Sequence, residues 1–343
     1  MTMKLKYIFG GSGSGKTKYC IDEISGHGSK KLIYIVPEQF SLESEKSLIT
    51  KNSGAIIYSQ VLSFNRLSFH IMKKEGAINK KILEDNGKIM LLRKIIYNNY
   101  NDLNFFAKAA DKEGFMDSLK MSITEFYKYC VSLDDLKAIL DKLDSTSSMY
   151  LKISDIYLIY QKYIEFINKE YISIDETLDI LTDKLDTSDF LQDAHIWIDS
   201  FHSFTPQEYR VIEKLLKYAN EVNITINLKS NKTYYDDVQF FDSFYETKLT
   251  VNKITKIARD NNIEIIRPVY LNGSKRFPEK SALYHLEKNY LASQSPPYKG
   301  ENPANTEIEI IRANNIYGEI SEVTKKIHHL VSERNYRYRK FLY

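Results

Sequence analysis

Apolar positions near the start of the chain come in short runs. Leu5 to Phe9 is one such run, and Leu32-Ile33-Tyr34-Ile35-Val36, stopped by Pro37, is a second. The second run, with no polar residue, predicts a strand buried on both sides of a parallel sheet, and the proline ends it. Between them, Cys20, Ile21 and Ile24 fall on one face of a helix beginning near Lys16. Ala55-Ile56-Ile57-Tyr58 reads as a third strand, and from Phe64 the spacing of Leu67, Ile71 and Met72 predicts another helix.

The period then changes. From about Asn79 to Asp189 apolar residues recur at helical spacing, as in Ile89, Leu92, Ile95 and Ile96 and again in Ile153, Ile156, Tyr157, Tyr160, Ile164 and Ile167. Strand signals return with His195-Ile196-Trp197-Ile198, ending in Asp199, followed by a helix after Pro206 and a strand over Val222 to Leu228. Ile263 to Ile266 adds one more short strand, and the Ser-Pro-Pro and Asn-Pro-Ala steps between 293 and 304 mark a linker. Ile308 to Ile311 reads as a strand and 318–332 as a helix, after which the chain stops at Tyr343 with a new β-α unit barely begun. The expectation is an α/β protein on a parallel sheet with a large all-helical insertion and an ending cut short. Its parts are 1–78 and 191–290 forming one domain, 79–190 the insertion, 291–306 a linker, and 307–343 the start of a second α/β domain.

Composition narrows this little. At 343 residues the chain has room for two domains, and its 27% charged and 43% hydrophobic residues are those of a soluble globular protein. No apolar run approaches the roughly 20 residues of a membrane span, and the start lacks a secretory signal, so the expected location is cytoplasmic and no membrane is involved. A net charge of +3, from 48 basic and 45 acidic residues, is silent about nucleic acid. The 26 tyrosines read as a compositional habit. Cys20 and Cys130, far apart and without CxxC spacing, read as buried thiols. His195 and His202 lack the spacing and partners of metal ligands.

The chemistry is concentrated in Gly10-Gly11-Ser12-Gly13-Ser14-Gly15-Lys16-Thr17, a full GxxxxGK[ST] pattern between a predicted strand and a predicted helix. Its glycines let backbone N–H groups wrap phosphates while the helix presents its positive end. Lys16 would bridge the outer phosphates of ATP, and Thr17 would offer its hydroxyl to Mg²⁺. Such a site needs an acid at a nearby strand end to hold the metal through water, and Asp199 meets that need; the competing reading is an aspartate that merely caps a turn. Ser200 stands where many ATPases place the glutamate that activates water. This argues for weak or no hydrolysis unless Glu208 or another subunit substitutes.

Four ordered segments make a more specific pattern than the glycine loop alone. They are Gly10 to Thr17; Ile35-Val36-Pro37-Glu38-Gln39; Gln60-Val61-Leu62-Ser63-Phe64-Asn65-Arg66-Leu67; and Trp197-Ile198-Asp199-Ser200-Phe201 with Phe204-Thr205-Pro206-Gln207-Glu208. In these the chain resembles the AddB family, the B subunits of the bacterial ATP-dependent helicase/deoxyribonuclease, over an N-terminal portion of that family. The resemblance implies a phosphate-loop sheet of superfamily 1 helicase type and a heterodimer with an AddA-like motor and nuclease subunit. It also implies work on single-stranded DNA and duplex ends in double-strand-break repair, under control of a short recombination-stimulating sequence. It places Pro37 to Gln39 and Leu62 to Phe64 where such helicases meet the single strand, with Gln39, Ser63, Phe64 and Arg66 as DNA contacts. For Arg66 a solvated helix position is an equal reading. B subunits are regarded as degenerate helicases, which agrees with Ser200. The family's C-terminal nuclease and 4Fe-4S cluster have no counterpart here, since two cysteines cannot build the cluster. Two other classes stay open: a P-loop kinase, which would want clustered lid arginines, and a structural scaffold with a relic loop.

Overall fold

The computed structural model describes residues 3–28, 31–52, 58–74, 81–109, 112, 114–228, 240, 242–290, 294–299 and 308–341. Two compact units are present, Met1–Ser274 and Lys275–Tyr343.

The first unit opens with β1 (Lys4–Gly10), α1 (Lys16–Gly26), β2 (Leu32–Ile35), α2 (Ser41–Lys51), β3 (Ser59–Leu62) and α3 (Phe64–Lys74). Next comes a mainly helical stretch: β4 (Lys81–Leu83), α4 (Asp85–Asn98), α5 (Phe115–Lys128), α6 (Leu133–Leu140), α7 (Ser148–Glu170), β5 (Tyr171–Ser173) and α8 (Thr177–Leu185). It closes with β6 (His195–Ile198), α9 (Pro206–Tyr218), β7 (Glu221–Ile226), α10 (Tyr245–Asp260), β8 (Glu264–Ile265) and β9 (Val269–Leu271). The second unit holds α11 (Ala282–Asn289) and α12 (Ile316–Arg334).

The main sheet runs β3-β2-β6-β7-β1-β8, with β9 also on β1, and every pairing is parallel. The apolar run of β2 is therefore buried on both faces, as its lack of alternation predicts, and most positions of β1 and β6 are buried beside it. One core cluster joins Leu5, Ile33, Ile196 and Ile224 to α3, α8, α9 and α10. A second, on the other face, joins Ile8, Tyr34 and Trp197 to α1 and α2. The helical stretch has its own cluster, from Leu83 to Ile167, centred on Leu92, Ile123, Tyr163 and Ile167.

Four expectations are corrected. The stretch from 79 to 190 is not all-helical, because β4 and β5 pair in parallel as a two-stranded ribbon. Three-residue strands carry too little periodicity to be read, and their partner is remote in sequence. Of the strand expected at Ala55–Tyr58, residues 55–57 lie outside the described residues and Tyr58 is in a bend; the strand at this edge is Ser59–Leu62. Ile308–Ile311 forms no strand, and Ile310 is 93% exposed, since alternation cannot supply the partner that a ladder needs. Cys20 is buried, but Cys130 is only half-buried. Of the expected linker, 294–299 is described and carries neither helix nor strand. Among the described residues no helix is long and apolar enough to cross a membrane.

Candidate nucleotide site and adjoining cleft

The glycine loop leaves the C-terminal end of β1 and turns into α1. Gly13 and Gly15 adopt left-handed backbone angles, φ 73° and 92°, which glycine reaches without a steric penalty. Gly10 is constrained by space, since a Cβ there would lie 2.2 Å from Ser14 Oγ and 3.1 Å from the Leu271 carbonyl oxygen. Helix α1 begins with no side-chain cap and no acid in its first turn. Its first N–H groups thus lack the usual side-chain acceptor, and the helix end remains positive. Ser14 Oγ is buried without a hydrogen-bond partner. An uncapped helix N-terminus, a glycine cradle and an orphaned buried hydroxyl fit an anionic, phosphate-bearing group.

Lys16 Nζ donates to the carbonyl oxygens of Gly10 at 2.8 Å and Gly11 at 2.9 Å, and to Asn227 Oδ1 at 3.4 Å. Thr17, one residue on, donates its hydroxyl to Asp199 Oδ2 at 2.7 Å. Strand β7 lies between β1 and β6, so the fold brings these two residues together across an intervening strand. Asp199 is 1% exposed, and three further hydroxyls converge on it: Tyr34 at 2.8 Å and Ser200 at 3.2 Å on Oδ2, and Thr225 at 2.6 Å on Oδ1. Ser200 adopts φ 67°, a left-handed turn directly after the strand. Burial, and next the charge of Asp199, push the Tyr34 phenol far above its ordinary range, so it remains a donor. Burial likewise raises the Cys20 thiol. Thr17 and Asp199 are the residues that could hold a divalent cation beside the phosphates. Among the described residues no cluster of three or more His, Cys, Asp or Glu side chains forms a separate metal site.

A cleft of about 550 Å³ opens between the sheet's edge and the helical stretch, lined by Pro37, Glu38, Gln39, Ser63, Phe64, Lys128, Asp175 and Glu208 among others. Three of the four residues assigned to DNA by resemblance, Gln39, Ser63 and Phe64, thus share one wall system. Ser63 donates to Glu38, and Phe64 is buried against Phe201 and Phe204. Arg66 lies outside the lining, half-exposed and 3.1 Å from Glu45. Glu208 lies in the cleft with its carboxylate in a capping box, accepting from Thr205 N at 2.8 Å and Thr205 Oγ1 at 3.1 Å. Periodicity alone missed Tyr34, Thr225 and Asn227. The available signal was a hydroxyl or amide inside or just after an otherwise apolar strand.

Fold and site together define an α/β protein with an open parallel sheet and a glycine-rich strand-to-helix turn. Residues 7–287 match the family model described as ADDB, N-terminal, and the chain belongs to this AddB N-terminal family. The B subunit of the ATP-dependent helicase/deoxyribonuclease of Clostridium novyi (strain NT) is 38% identical, over 98% of this chain and 30% of that protein. Its namesake in Clostridium tetani (strain Massachusetts / E88) is also 38% identical over the same shares. That of Caldanaerobacter subterraneus subsp. tengcongensis is 35% identical over 98% of this chain and 29% of the relative. The chain thus spans about three-tenths of the length of these relatives.

Proposed function

We propose that this chain is the nucleotide-binding N-terminal part of the AddB-type component of a helicase/deoxyribonuclease complex that processes double-strand DNA breaks for recombinational repair. In this reading residues 1–78 and 191–290 form a superfamily 1 helicase-type domain, 79–190 an insertion, 291–306 a linker, and 307–343 the start of a second such domain. Gly10 to Lys16 hold the phosphates of ATP, and Thr17 with Asp199 holds Mg²⁺. Magnesium-bound ATP supplies a charged group whose occupancy biases the protein between states. The chain works in the cytoplasm beside an AddA-like motor and nuclease subunit, on single strands and duplex ends. Gln39, Ser63 and Phe64 meet the strand in the cleft, and Arg66 meets its backbone outside it.

The observation that carries this reading is the 2.7 Å bond between Thr17 and Asp199, two residues 182 positions apart. A strand-end aspartate that only capped its own turn would have no reason to meet the hydroxyl of a glycine loop. The names of the relatives agree with it. Weak hydrolysis follows from Ser200 after Asp199, and from Glu208, whose carboxylate is engaged by the start of its own helix.

Titration with a fluorescent ATP analogue and Mg²⁺ tests the reading. Lys16→Ala is expected to weaken binding at least about tenfold, the scale of a lost charge-assisted hydrogen bond to phosphate, while far-UV circular dichroism stays unchanged. Equal affinity in the two proteins would exclude the glycine loop as the nucleotide site. Phosphate release that stays low with single-stranded DNA present is expected as well; strong stimulation would make the chain a motor.

A further inference from the structure

Strand β7 alternates between two kinds of residue. Val222, Ile224 and Ile226 belong to the core formed with α3, α8, α9 and α10. Asn223 and Thr225, 0% and 5% exposed, lie on the other face, level with Trp197 of β6 and Ile8 of β1, which α1 covers. Asn227, the first residue beyond the strand, continues this polar row. Asparagines and buried hydroxyls suit the middle of a sheet poorly, so such a row calls for polar partners.

Two of those partners belong to the nucleotide site. Thr225 donates to Asp199 Oδ1 at 2.6 Å, and Asn227 Oδ1 accepts from Lys16 Nζ at 3.4 Å. The register explains why. Ile224 pairs with Ile198, so Thr225 follows level with Asp199, and Ile226 pairs with Phe9, so Asn227 follows level with Gly10, where β1 gives way to the glycine loop. One strand thus touches both halves of the site from positions two residues apart.

Lys16 Nζ has three N–H donors, and it lies against the carbonyl oxygens of Gly10 and Gly11 as well as Asn227. When that ammonium bridges the outer phosphates of a nucleotide, it brings them beside the Asn227 side chain. A carboxamide carries an acceptor oxygen and a donor NH₂ group, and a half-turn about its last bond exchanges them. Asn227 can therefore accept from Lys16 in one state and donate to a phosphate oxygen in the other. It stands outside the glycine loop, on the strand that also holds Asp199, away from the loop N–H groups that wrap the inner phosphates.

We propose that Asn227 reads the terminal phosphate of the bound nucleotide, so that the site distinguishes a nucleoside triphosphate from a diphosphate. The proposal rests on the nucleotide reading above and adds a selectivity to it.

The test is calorimetric titration of the 343-residue chain with a non-hydrolysable ATP analogue and, separately, with ADP, each with Mg²⁺. The wild type is expected to prefer the analogue at least about tenfold, the scale of one hydrogen bond to a charged group. In Asn227→Ala the analogue is expected to lose about tenfold in affinity while ADP stays within about twofold, so the preference disappears. Asn227→Asp keeps the shape of the side chain but sets a negative charge beside the phosphates, and its preference for the analogue should fall at least as far. A wild type without preference would overturn the proposal, as would an Asn227→Ala protein that keeps it or loses both ligands equally, the mark of a merely structural residue. If Asn227→Ala fails to fold, Asn227→Asp decides, and a wild-type preference there would also overturn it. Failure of the nucleotide reading looks different: the wild type would bind neither ligand, or bind both regardless of Lys16→Ala.

Discussion

His195 opens β6 with its ring centroid 4.4 Å from that of His27 and with Nδ1 buried without a partner. Burial, and next the neighbouring His27, depress its pKa below the usual 6.5; Lys6 adds to this, while Glu221 and Asp193 oppose it. The folded protein thus resists a proton that the unfolded chain accepts. Above about pH 6.5 neither state is protonated and nothing is lost; as pH falls below that value, stability falls. His70, also depressed by burial, acts in the same direction. The expected result is a melting temperature that drops between about pH 7 and pH 5, with a shallower drop in His195→Gln, measured by thermal unfolding across that range. An identical slope in both proteins would clear His195 of any part in it. At this scale the glycine loop was fully legible, because its chemistry depends on adjacent residues. Tyr34 was not, since as one aromatic in an apolar run it looks like core until Asp199 stands next to it.

Helices α1 and α3 fall where the spacing of apolar residues put them, α9 begins at Pro206 as expected, and α12 covers the expected 318–332. What binds the helical stretch internally was not legible. Lys88 on α4 is fully buried, paired with Asp175 after β5 and 3.1 Å from Thr124 on α5. Three elements thus meet at one charge. Removing only the cation leaves a buried carboxylate unpaired, and Lys88→Met is expected to cost about 3–5 kcal/mol by urea unfolding. Replacing both partners, as Lys88→Met with Asp175→Leu, should restore much of it, because apolar packing can substitute for a buried ion pair. A small loss in the single variant would mean that Asp175 finds another partner. Glu208 shows the same limit on sequence reading at a helix end. It was a candidate base by position, whereas its neighbour Thr205 engages it as the N-terminal lock of α9.

For the molecule as a whole, the main sheet, the glycine loop and Asp199 all lie in the unit Met1–Ser274. A chain ending at Ser274 is therefore expected to bind the ATP analogue within about twofold of the 343-residue chain, as independent units do. A large loss in the same titration would mean that Lys275–Tyr343 contributes to the site. The sequence by itself determined the α/β class, the buried character of β2, the helical stretch, and the glycine loop with its threonine. All of these depend on local period or on adjacent residue types. Only the tertiary structure decided the strand order that sets β7 between β1 and β6. It also decided the pairing of β4 with β5, the four hydroxyls on Asp199, and the absence of a ladder at Ile308–Ile311. The physical reason is that a strand, a buried charge and a buried strand-end carboxylate are each completed by partners far away in the chain, and no local pattern records which partner that is.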